Sequence, residues 1–70
     1  MNNANPFSGF KTRQQIATEY GITVKTLKRH LGKKDFTLPK GHRVSLGEQK
    51  DIYEALGYPP NVSKMEYEGI

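Results

Sequence analysis

The side chains of this chain that could do chemistry are donors of charged hydrogen bonds rather than nucleophiles. Thr23, Lys25, Thr26, Lys28 and Arg29 fall within seven consecutive residues; Arg13 precedes them, and Lys40 and Arg43 follow. Lysine and arginine carry only donors and stay charged at neutral pH. What they do well is bind an anion through charge-assisted hydrogen bonds. Other chemistries find no residues here. With no cysteine and only two histidines, His30 and His42, a zinc site is not expected. Ser8, Ser45 and Ser63 form no triad or nucleophile elbow, and Gly41 and Gly47 belong to no phosphate-cradling loop. Glu48, Asp51 and Glu54 read as the solvated face of a helix. No catalytic residue, metal or cofactor is expected, and the chain is not expected to be an enzyme.

The elements that must position these donors are short helices. Thr12 and Gln15 make a capping box, and Ile16 and Tyr20 then share one helical face with Ala17 beside them. Gly21 is a stop signal, because it tolerates the left-handed conformation. Thr23 can cap a second helix over 24–31, in which Val24, Leu27 and Leu31 recur on one face. Lys25 and Arg29 then lie nearly opposite that face, flanked by Thr26 and Lys28. His30 falls on the flank and is expected to be a half-buried packing residue. Gly32 is the expected end of the helix, with Lys33 and Lys34 near its negative pole.

Farther along, Phe36-Thr37-Leu38 alternates and Pro39-Lys40-Gly41 is a turn signal. Residues 36–44 are therefore either a short two-stranded wing or an extended connection pinned by Phe36, Leu38 and Val44. Ser45 and Glu48 form a second capping box, opening a third helix from Leu46 to about Leu56. Gly57 and then Pro59-Pro60 end it. This helix is expected to close the core over the first two. Residues 1–11 are expected to be an arm, with Phe7 and Phe10 folded back over the helix pair or engaged in a dimer contact. Residues 58–70 show no sustained period and are expected to be a flexible tail, with Tyr58 alone packing back.

Seventy residues make one small domain with no disulfide to staple it. No run is long enough for a membrane span, and the N-terminus does not resemble a secretory signal. A cytoplasmic protein with no membrane partner is expected. The net charge of +4 conceals a division. Residues 1–45 hold nine Lys/Arg against Glu19 and Asp35, a balance of +7. Residues 46–70 hold Lys50 and Lys64 against five acids, a balance of −3. Such a concentration suits a polyanion; the alternative is a solvated basic surface.

Taken together, Ile16, Ala17, Tyr20, Gly21, Ile22, Thr23, Leu27 and Leu31 resemble the helix-turn-helix of DNA-binding proteins, whose second helix enters the major groove. The order from Ile16 to Leu56 is similar to the MerR-type and excisionase-like winged helix-turn-helix family. Thr26-Leu27-Lys28-Arg29, Leu38-Pro39, Gly41-His42-Arg43 and Ser45 carry that likeness. The resemblance implies that Arg43 and Lys40 reach phosphates from a wing. The long dimerisation helix and effector domain of MerR proteins have no counterpart here, so effector sensing is not implied. The second half also resembles small helix-turn-helix proteins of Bacteroides-type bacteria, making a bacterial source the expectation. The reading is a mainly α, three-helix helix-turn-helix domain over 12–57. Its expected partner is double-stranded DNA, with a homodimer or partner protein completing affinity. Its role is transcription regulation or recombination. Arg29 is the first candidate for a base contact, then Lys25, Thr26 and Lys28. Thr23, Arg13 and Lys11 suit phosphates. The alternative is a protein-interaction module, an anti-regulator on the same fold. An RNA reader is disfavoured, because the basic helix offers no aromatic for stacking.

Overall fold

The computed structural model describes residues 9–38, 40 and 43–70. Among these residues three α-helices follow one another: α1 (Arg13–Glu19), α2 (Val24–Gly32) and α3 (Leu46–Leu56). A 3-10 turn, Lys64–Tyr67, comes after them. No strand occurs among the described residues.

Each helix starts where a side chain satisfies its first amides. Thr12 Oγ1 accepts from the Gln15 amide at 3.0 Å, and Gln15 Oε1 accepts from the Thr12 amide at 2.7 Å. Ser45 and Glu48 repeat the exchange at 3.2 and 2.9 Å. Thr23 Oγ1 accepts from the Thr26 amide at 3.1 Å. Caps of this kind are worth about 1 kcal/mol each.

The first two helices end in the same way. At the end of α1 the Ile22 amide donates to the Ala17 carbonyl (3.0 Å) and the Gly21 amide to that of Thr18 (2.9 Å), with Gly21 at φ 71°. This is the Schellman arrangement, and it makes the expected turn. α2 repeats it later than expected. The helix runs through Gly32, and the left-handed residue is Asp35, at φ 56°. There Phe36 donates to Leu31 at 3.0 Å and Asp35 to Gly32 at 3.1 Å. Half-buried Phe36 thus returns to the core beside Leu31.

α2 packs against both α1 and α3. The core takes Ile16 and Ala17 from α1, Leu27 and Leu31 from α2, Ile52 and Tyr53 from α3, and Leu38 and Val44 from the connection. Val62 and Tyr67 complete it. Val62 and Tyr67 therefore pack on the core, where Tyr58 alone was expected to. Burial of Pro59, Val62 and Tyr67 follows no helical or strand period, because the turn at 60–62 and the 3-10 turn re-aim the chain.

Three other expectations change. Phe10 does not cover the helix pair; it is 49% exposed. His30 is exposed, on the solvent side of α2. Val44 pairs not with Phe36–Leu38 but with Lys11, in an isolated antiparallel bridge. Its bonds are Lys11 N to Val44 O at 3.2 Å and Val44 N to Lys11 O at 2.6 Å. The described part of 36–44 is thus an extended connection pinned by Phe36, Leu38 and Val44. Phe7, Pro39, Gly41 and His42 lie outside the described residues.

Candidate nucleic-acid interface

The donors singled out in the sequence divide among three elements. α2 and its cap carry Thr23, Lys25, Thr26, Lys28 and Arg29, α1 begins with Arg13, and the connection between α2 and α3 holds Lys40 and Arg43. On α2, Leu27 and Leu31 are completely buried, while Lys25, Lys28 and Arg29 are exposed. The period of 3.6 produces both faces from one short sequence. Nine residues make this helix about 14 Å long. Thr26 is half-buried, and its hydroxyl accepts from that of Thr23 at 3.0 Å. Arg13 is half-buried and Lys40 exposed. Arg43, also exposed, holds its guanidinium over the Phe10 ring, 5.6 Å from the centroid.

Among the described residues the one ion pair is Lys11–Glu19, at 2.6 Å. None of Lys25, Lys28, Arg29, Lys33 and Lys34 shares a salt bridge with a described residue. No described carboxylate therefore neutralises their charge through a direct ion pair. Lys33 and Lys34 extend the positive charge beyond the last turn of α2, where the helix dipole also favours it.

Lys11 does not belong to this surface, although its position before α1 suggested a phosphate contact. Its ammonium turns inward, donating to Glu19 and, at 2.9 Å, to the Tyr53 hydroxyl. The Tyr53 hydroxyl in turn donates to the other oxygen of Glu19. Burial alone would lower the Lys11 pKa, but the adjoining Glu19 carboxylate outweighs it and holds the pKa above the ordinary value. Burial, reinforced by Glu19, pushes the Tyr53 phenol upward as well. Tyr20, whose hydroxyl donates to the Gly57 carbonyl at 2.6 Å, is pushed up to about 12, chiefly by burial.

A second buried polar group was missed. Gln49 is 1% exposed. Its amide nitrogen donates to the carbonyls of Gly9 (2.9 Å) and Val44 (2.8 Å), and its oxygen accepts from the Tyr67 hydroxyl at 2.6 Å. A signal for it exists in the sequence: Gln49, Ile52, Tyr53 and Leu56 stand at i, i+3, i+4 and i+7, so glutamine occupies the apolar stripe of α3. Lys11, Glu19 and Tyr53 satisfy one another, whereas the buried hydroxyl of Tyr58, whose ring centroid lies 5.3 Å from that of Tyr53, has no hydrogen-bond partner among the described residues.

No helix among the described residues is long and apolar enough to cross a membrane. No family model, curated protein or solved structure matches the chain.

Proposed function

We propose that this chain is a DNA-binding protein in which α1, the turn at Gly21 and α2 act as a helix-turn-helix, with α2 entering the major groove. In this reading it is a small transcriptional regulator or recombination accessory factor, not an enzyme. The observation that carries the reading is the division of α2. Leu27 and Leu31 fix the helix to the core, and Lys25, Lys28 and Arg29 project with their charge uncompensated by any described carboxylate. An α-helix is about 10–12 Å across with its side chains, which suits a major groove about 12 Å wide. Arg29 is assigned the first base contact and Lys25 the second, with Thr26 and Lys28 beside them. Thr23 and Arg13 contact phosphates from helix N-termini, and Lys40 and Arg43 do so from the connection. The likeness to MerR-type and excisionase-like proteins supports the same assignment. So small a surface calls for a homodimer or a partner protein to reach high affinity.

The test is a fluorescence-anisotropy titration with mixed-sequence duplex DNA at about 50 and 200 mM salt, a range over which phosphate contacts weaken steeply. Salt-sensitive binding that is lost in Lys28→Glu/Arg29→Glu, with circular dichroism unchanged, is the expected result. The exposure of Met65 (76%) and Ile70 (46%) favours one other reading, a protein-interaction module. Folded protein that fails to bind duplex at the lower salt would select it.

A further inference from the structure

Among the described residues, Phe10 is the aromatic left exposed at the surface. Its backbone is nonetheless fixed on both sides. The Gly9 carbonyl before it accepts from Gln49, and Lys11 after it pairs with Val44. The same Gln49 nitrogen also holds the Val44 carbonyl. One buried side chain thus ties together the segment before α1 and the segment before α3. Phe10 and Arg43 are the exposed residues at this clasp, and the guanidinium lies over the ring.

We propose that this stack is a second contact point of the nucleic-acid interface, in which Phe10 is a positioning residue that presents Arg43 to a DNA phosphate. The inference rests on the DNA-binding reading and adds to it a part for the segment before α1. A guanidinium within about 6 Å of a ring centroid is attracted by the ring's quadrupole while its edge donors stay free. An unsupported surface arginine must give up side-chain freedom when it binds. An arginine stacked beforehand gives up less. The clasp supplies a fixed base for Arg43 at the end of the connection between α2 and α3.

Anisotropy with a mixed-sequence duplex of about 20 base pairs tests this on the full chain, from about 50 to 200 mM salt. Arg43→Ala is expected to weaken binding about tenfold and to lower the salt slope by roughly 1. Phe10→Leu weakens it about three- to fivefold, Phe10→Tyr restores it, and Phe10→Leu/Arg43→Ala binds no worse than Arg43→Ala. In the free protein, proton NMR is expected to find the Arg43 side-chain protons shifted upfield by the ring, a shift that Phe10→Leu abolishes. Unshifted Arg43 protons, or additive losses in the double variant, overturn the proposal. Binding that is lost in Lys28→Glu/Arg29→Glu but unaltered by Phe10→Leu and Arg43→Ala removes this contact and leaves the reading of α2 in place. Absence of duplex binding by the folded natural chain removes both.

Discussion

Lys11 and Lys28 lie in the same basic half of the chain, and the fold places them in opposite environments. Lys11 is drawn inward, bonded to Glu19 and Tyr53 and held above the pKa of a free lysine. Lys28 stands in solvent on α2 with no carboxylate among the described residues in salt-bridge range. Net charge alone does not separate the two; a partner does. A lysine whose charge is satisfied inside contributes to stability, whereas one left unsatisfied outside costs the fold little and is available to a ligand.

The largest effect that could break this contrast is on binding. Reversing both outer charges, Lys28→Glu/Arg29→Glu, should lower duplex affinity at least about a hundredfold while the melting temperature stays nearly unchanged. A large loss of stability in that variant would make α2's outer face structural. Lys11→Met should do the reverse. It removes the cation between Glu19 and Tyr53 and should cost about 1–3 kcal/mol in urea unfolding, less than a fully buried pair because the site is partly accessible. Affinity of the folded fraction should not change.

The inner cluster also sets a pH dependence. Tyr20, Tyr53 and Lys11 all have raised pKa values in the folded chain. The unfolded chain releases these protons at ordinary values, 10.0 for tyrosine and 10.5 for lysine. Above pH 10 the folded state therefore binds more protons than the unfolded one, and stability falls as pH rises. Their contribution is complete below pH 10, and the part due to Tyr20 is lost by about pH 12. Melting curves from pH 8 to 11 should show a plateau and then a decline, which Tyr53→Phe makes shallower.

The smallest effects belong to the two helix ends. Gly21→Ala meets no atom within 4 Å, so its cost is that of the backbone alone, about 1 kcal/mol. Asp35→Gly should gain a few tenths of a kcal/mol to about 1, since it removes the cost of a left-handed aspartate. Both are measurable by chemical denaturation. Equal and opposite shifts would show that the two turns are equivalent.

Those ends also mark what a sequence can carry. Thr12 with Gln15, Ser45 with Glu48, and Gly21 are legible because each partner lies within one turn of the chain. The apolar stripe of α2 is legible for the same reason. Gly32 misled because glycine is only permissive, and the helix closed three residues later on Asp35 instead. Lys11 and Phe10 were misplaced because their partners, Tyr53 and Arg43, are remote in sequence, and no local pattern encodes such a pairing. The outer face of α2 could be read as a surface from its period.

Gln49 bears on the order in which this molecule can fold. It joins Gly9, 40 residues earlier, to Tyr67, 18 residues later, while the turn at Gly21 closes on local bonds. Closing such spans costs chain entropy that grows with their length. During synthesis α1 and α2 can meet early, but the clasp must wait for α3, and Tyr67 arrives last. A nascent chain that has not yet extended past Tyr67 holds Gln49 with its carbonyl oxygen unanswered. The segment that carries Tyr67 thus completes the clasp after α3 has formed.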